Sequence, residues 1–179
     1  SNPGAAERGM KTVADGLARL VDRKRMSEAD ATAVTVRIRT AKALDECKSA
    51  ALVIEAIIED MDVKKTLFRA LEEFCSADAI LSSNTSSLSI TELAGALKHP
   101  ARVAGLHFFN PAPVMPLVEV IAGFQTAPAV MDTLFATATA WSKKPVRVKS
   151  TPGFLGNRVA RPFYGEALRS LEENVTDVP

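Results

Sequence analysis

Short apolar runs, set between amphipathic stretches, constrain this chain more than any other feature of its 179 residues. Residues 50–58 form one such run, Ala50-Ala51-Leu52-Val53-Ile54-Glu55-Ala56-Ile57-Ile58, which suits a strand buried on both faces. Residues 79–83 read as a second buried strand, and 103–108, 118–121 and 146–148 as three more. The intervening segments carry a helical period. Met10, Val13, Leu17, Leu20 and Val21 place a helix over 5–25, and Ser27 is a suitable cap for a shorter one over 28–37. Val63, Leu67, Leu71 and Phe74 fall on one side of a helix over 61–75. Further helices are expected over 90–97, over 127–141, and from Phe154 onward through Pro162. Alternating strands and helices predict an α/β fold around a mainly parallel sheet.

The charge balance removes some classes of function. With 22 basic and 21 acidic residues the net charge is +1, so bulk electrostatics favours neither nucleic acid nor an anionic membrane surface. No apolar run reaches the roughly 18 residues of a membrane span. The start of the chain has no secretory pattern, and Ser1-Asn2 reads as a scar from tag removal. The two cysteines, Cys47 and Cys75, form no CxxC, and with two histidines they make no zinc constellation. Free thiols in a reducing, cytoplasmic setting are expected, with Cys75 as a core residue.

In a sheet of this kind the loops at the carboxyl ends of strands do the work. Polar residues collect there: Glu59 and Asp60 after the first strand, Asn84-Thr85-Ser86-Ser87 after the second, Asn110 after the third, and Thr151-Pro152-Gly153 after the last. These four strand ends are expected to form a crevice. His107 and Glu119 are the most telling pair. They lie twelve residues apart across a proline-rich crossing whose midpoint is Pro113. A chain reversal there sets them opposite each other. Histidine titrates near neutral pH and can take and return a proton, and a buried carboxylate beside it would fix its tautomer.

The nine glycines contain no G-x-G-x-x-G, and no acidic residue closes a second strand where a ribose would bind. Either the sheet is not a dinucleotide domain or its first strand–helix–strand lies outside this sequence; the rest of the pattern favours the second.

Several separate motifs carry a resemblance. Ser83-Asn84-Thr85-Ser86-Ser87-Leu88-Ser89-Ile90, Ala104-Gly105-Leu106-His107-Phe108-Phe109-Asn110-Pro111, Pro113-Val114-Met115, Leu117-Val118-Glu119-Val120-Ile121 and Thr151-Pro152-Gly153-Phe154-Leu155-Gly156-Asn157-Arg158 follow in this order. In order and spacing the chain resembles the L-3-hydroxyacyl-CoA dehydrogenases. The resemblance implies a partial, Rossmann-like, doubly wound NAD-binding domain over 1–150. Residues 151–179 would begin a helical domain through which a homodimer forms. It implies an acyl-CoA substrate and NAD as cofactor. His107 would be the proton acceptor, oriented by Glu119. Ser86 would bond the reacting oxygen, and Asn157 would direct its amide at the substrate. Asn110 would hold the substrate or the nicotinamide side. Glu59, Lys64 and Asn84 would line the cofactor, with Glu59 at ribose hydroxyls.

Each role has a plainer counterpart. His107 would be a hydrogen-bonded core histidine, and Ser86, Ser87 or Ser89 a helix cap. Asn157 would be a local cap, and Asn110 a turn residue. Lys64 would belong to a solvated, charged helix start. Arg23-Lys24-Arg25 reads as a solvated helix end. Two other identities stay open. One is a different β-hydroxyacid dehydrogenase, although those lean on a lysine where this chain has a His–Glu pair. The other is a non-catalytic fragment or binding relative.

Overall fold

A computed structural model describes residues 4–177; the expected scar at Ser1-Asn2 lies outside them. The chain divides into two compact units, 1–46 and 47–179. The first holds helices α1 (Ala5–Asp22) and α2 (Glu28–Thr35). Ser27 caps α2 as expected, its hydroxyl accepting from the Asp30 N–H at 3.1 Å. α1 ends three residues short of the expected 25. Lys24 takes φ 55° and donates its N–H back to the Val21 carbonyl, and Arg23-Lys24-Arg25 stand exposed beyond the helix end.

The second unit is built on a five-stranded sheet. Its elements are β1 (Leu52–Glu55), α3 (Met61–Phe74), β2 (Ile80–Ser83), α4 (Ile90–Gly95), β3 (Val103–Phe108), β4 (Leu117–Ala122), α5 (Pro128–Ala140), β5 (Lys144–Lys149) and α6 (Gly156–Glu172). Strands lie in chain order, and every neighbouring pair is parallel except β3 and β4. Two expectations are corrected, the first by that single reversal. β5 is parallel to β4, so it runs against β1–β3 and its carboxyl end lies at the opposite end of the sheet from theirs. The segment after β5 therefore joins the other loops by crossing back over the sheet, where Phe154 meets His107. The other correction concerns the run 50–58. Only Leu52–Glu55 forms a strand, and β2 is its one partner among the described residues. Ile54 is consequently 38% exposed rather than buried on both faces.

Alternation along the strands sorts the core into two layers. Ile80, Ala104, Leu106, Val118 and Val120 face Met131, Leu134 and Ala138 of α5. Leu81 and Val103 face Phe68 and Leu71 of α3 and Leu93 and Ala94 of α4 on the other side. Cys75 joins that layer, as expected of a core residue, and burial with Cys47 alongside raises its thiol above the ordinary range. Cross-strand register then fixes what shares the α3–α4 face. Glu55 pairs with Ser83, Ser83 with Gly105, Gly105 with Ile121, and His107 with Glu119. Each strand from β1 to β4 thus contributes one polar side chain to a single face. Gly105 interrupts the stripe for a steric reason: a Cβ there would sit 2.8 Å from Cδ1 and 2.9 Å from Cβ of Ile121.

Candidate active site

The chain reversal at the proline-rich crossing does what its midpoint predicts. His107 and Glu119 are direct partners across the antiparallel β3–β4 ladder, so their side chains leave the same face side by side. His107 Nδ1 and Glu119 Oε2 are 2.6 Å apart. His107 is 6% exposed and Glu119 is fully buried. The other carboxylate oxygen accepts the backbone N–H groups of Leu155 and Gly156, each at 2.8 Å. These are amides at the start of α6, where unpaired donors and the helix dipole favour an anion. Close approach of this turn depends on Gly156, where a Cβ would fall 2.6 Å from Cζ of Phe109.

Burial pushes Glu119 toward the neutral acid. The His107 hydrogen bond and the Gly156 and Leu155 amides outweigh it, and the carboxyl is held below its ordinary value. An ionised Glu119 has no proton to give, so His107 Nδ1 must be the donor. A neutral His107 ring then carries its lone pair on Nε2. That nitrogen has no protein partner among the described residues, and it is not sealed from solvent. Among the described residues the single fully buried side-chain nitrogen or oxygen without a partner is Arg102 Nε. Phe109, its ring centroid 4.6 Å from that of His107, and Phe154 at 6.1 Å wall the imidazole with apolar surface. Phe154 is buried with φ 46°, a conformation that side chains rarely adopt.

A second polar cluster lies at the ends of β1 and β2. Lys64, expected at worst to be part of a solvated helix start, is 1% exposed. Its ammonium meets Glu55 Oε1 at 2.6 Å and Glu59 Oε2 at 3.4 Å. The correction has a clear cause. Asp60 caps α3 by accepting the Val63 N–H, and that start angle turns Lys64 inward under β1. Ser83 donates to the other Glu55 oxygen at 2.7 Å. Glu59 Oε1 in turn gathers Thr85 Oγ1, the Ser86 N–H at 3.0 Å, and the Ser86 and Ser87 hydroxyls at 3.4 and 3.3 Å. Burial acts to raise Glu59, and the Thr85, Ser86 and Lys64 contacts override it, so this carboxyl too stays ionised.

The two clusters meet through consecutive residues of α6. While the Gly156 N–H holds Glu119, Asn157 donates its side-chain amide to the Ser86 carbonyl at 3.2 Å. Asn157 is therefore no local cap, and the cap of α4 is Ser89, leaving Ser86 free of that task. Asn84 accepts the Phe108 N–H at 2.8 Å and ties the end of β2 to the end of β3. Asn110 is exposed and precedes Pro111 through a cis peptide bond. The residues that sequence reasoning passed over are Glu55, Phe109, Phe154 and the Leu155 amide. Glu55 did leave a signal, as the one charged residue in an otherwise apolar strand. Among the described residues no cluster of His, Cys, Asp or Glu is placed to hold a metal, and no helix is long and apolar enough to cross a membrane.

Residues 1–151 match the family described as "3-hydroxyacyl-CoA dehydrogenase, NAD binding domain". A 3-hydroxyadipyl-CoA dehydrogenase of Escherichia coli (strain K12) is 58% identical over 127 residues, 71% of this chain and 27% of that protein. A probable 3-hydroxybutyryl-CoA dehydrogenase of Bacillus subtilis (strain 168) is 42% identical over 174 residues, 97% of this chain and 61% of that protein. The crystal structure of a 3-hydroxybutyryl-CoA dehydrogenase from Escherichia coli K12 superposes with a TM-score of 0.95 at 45% identity, over 98% of this chain and 37% of that one. The chain thus spans less than two thirds of the length of these relatives.

Two substitutions probe the site. Lys64→Met leaves the buried Glu55 carboxylate without its cation, and should cost about 3–5 kcal/mol in denaturant unfolding. A loss under about 1 kcal/mol would mean the pair does not hold the β1–α3 junction. Glu119 has a depressed folded value, so its stabilisation is complete above the ordinary glutamate value of 4.5 and is lost as pH falls through the folded one. Glu119→Gln should be less stable than wild type at pH 7 by about 1–3 kcal/mol. The two unfolding curves should converge in acid, and a gap that persists or widens there would contradict an ionised Glu119.

Proposed function

The chain belongs to the 3-hydroxyacyl-CoA dehydrogenase NAD-binding family, and from that premise we propose that it serves NAD-dependent interconversion of a 3-hydroxyacyl-CoA and its 3-keto thioester. The observation that carries the reading is the His107–Glu119 pair, with its carboxylate clamped by the first amides of α6. His107 Nε2 takes the proton of the substrate's 3-hydroxyl while hydride leaves C3, and gives it back in the reverse direction. Glu119 keeps Nε2 free to act and offsets the charge of the imidazolium that forms. The Phe109 and Phe154 rings limit the water that can compete for that proton. Ser86 bonds the reacting oxygen and Asn157 positions the thioester. Asn110, exposed at the end of β3, holds the substrate or the nicotinamide side.

The strand-end residues suit one part of the cofactor. Around Glu59 the charges are two carboxylates, Glu55 and Glu59, against Lys64, whose ammonium both already engage. Such a set favours hydroxyls and amides over phosphates. Glu59 would therefore meet the nicotinamide ribose, with Asn84 holding the strand ends in place. Lys64 acts from behind, fixing Glu59 and through it the Ser86 loop. When bound, NAD supplies the hydride acceptor. The pyrophosphate would need a glycine-rich turn, which these residues do not provide.

The acyl-CoA substrate and a homodimer belong to the whole protein. In this reading residues 151–179 open a helical domain. The exposed Val159, Phe163, Tyr164 and Leu168 on α6 support that, as apolar positions with room for a partner. The relatives' names differ in acyl group, adipyl and butyryl, but share the 3-hydroxyacyl thioester.

In the full protein that carries this chain, His107→Gln should fold normally and lower NADH consumption with acetoacetyl-CoA by about 10²–10⁴-fold. Turnover within a few-fold of wild type would remove His107 from the proton transfer.

A further inference from the structure

The loop between β3 and β4 hangs on the turn that follows α5. Asn110 leads into it, and prolines at 111, 113 and 116 leave it few backbone donors of its own. Within it the Val114 and Met115 N–H groups both go to the Pro111 carbonyl, at 2.9 and 3.0 Å. Among the described residues, the other hydrogen bonds to 111–116 come from two consecutive lysines. The Lys144 N–H donates to the Pro116 carbonyl at 2.8 Å. The Lys143 ammonium donates to the carbonyls of Ala112, at 2.5 Å, and Met115, at 3.0 Å. The end of α5 aims that ammonium. Ser142 takes φ 59°, and the Ser142 and Lys143 N–H groups return to the Thr139 and Ala138 carbonyls, a left-handed stop that turns the chain toward the loop. Among the described residues Lys143 has no ion-pair partner, so carbonyl oxygens are what its charge meets.

We propose that Lys143 is a positioning residue for the reaction: by holding the 111–116 turn it sets where Asn110 stands. The inference rests on the dehydrogenase reading above, in which Asn110 meets the substrate or the nicotinamide side. An ammonium suits the task, because it has three donors and no acceptor and can take two converging carbonyls at once. The carbonyl end of α5, whose dipole favours a cation, stands behind it. Ala112 and Met115 flank the tip of the turn, so two bonds from one nitrogen fix both of its arms. Only Pro111, whose ring fixes φ, separates Asn110 from Ala112, so the placement of the turn carries to the exposed Asn110. The same turn also supports the strand end. Trp141 lies 6.4 Å from the ring of Phe108, which packs on the α5 layer, while the neighbouring His107 faces the other side of the sheet. Lys143 therefore acts on the loop without touching the imidazole.

The test is a double-mutant cycle in the full protein, measuring kcat and both KM values for NADH and acetoacetyl-CoA. Asn110→Ala should raise one of the two KM values. Lys143→Met should raise the same one, by about tenfold, with kcat little changed. The double variant should be no worse than Asn110→Ala alone, since a displaced loop has no asparagine contact left to lose. Effects that multiply overturn the inference, as they would if the Lys143 ammonium met a coenzyme phosphate instead. A fall in kcat with both KM values unchanged overturns it too, because that is what less folded enzyme produces. So does a Lys143→Met variant with wild-type constants, or an Asn110→Ala variant with them, which leaves Lys143 nothing to position. Each of these outcomes, seen beside an active wild type, leaves the dehydrogenase reading standing. A wild type that consumes no NADH with acetoacetyl-CoA fails that reading itself, and this inference with it.

Discussion

A fully buried carboxylate must either take up a proton or be surrounded by donors, and Glu119 is surrounded. One oxygen faces His107 Nδ1 and the other receives two amides from the start of α6. This arrangement joins the parts of the unit that matter. It pairs β3 with β4 through side chains as well as backbone. It docks the helix that follows β5 onto a sheet in which β5 points away from the carboxyl ends of β1–β3. It also decides which nitrogen of His107 carries a proton. Loss of the charge would loosen the α6 start and free the imidazole to change tautomer, so stability and chemistry depend on the same two hydrogen-bonded oxygens.

The sheet shows how such a site is accommodated. One face is apolar and covered by α5, while the other carries Glu55, Ser83, His107 and Glu119 across four adjacent strands. None of these groups is left alone. Glu55 is satisfied by Lys64 and Ser83, and Glu119 by His107 and the α6 amides. Buried polar groups are tolerable when fully paired, and such networks hold one geometry better than apolar packing does. Gly105 is what lets Ile121 fill the middle of the stripe and isolate the two clusters within one layer.

Much of this was legible in the sequence. The period of the apolar runs located all five strands, and the separation of His107 from Glu119 about Pro113 placed them opposite each other. What the runs could not reveal was direction. Apolar strands look alike whether parallel or antiparallel, so the reversal between β3 and β4, and with it the true position of Thr151-Pro152-Gly153, was hidden. Burial of charge was hidden as well. Lys64 reads as a surface lysine because its partners, Glu55 and Glu59, lie nine and five residues back, across a strand end whose geometry spacing alone does not fix.

The most direct measurement is the nitrogen-15 NMR of the His107 ring in this chain, at a pH where the imidazole is neutral, for wild type and Glu119→Gln. An ionised Glu119 that fixes the ring requires a protonated Nδ1 and a bare Nε2 in wild type, with the two tautomers mixing in the variant. A wild-type ring protonated on Nε2, or a tautomer unchanged by Glu119→Gln, would contradict the role given to the pair.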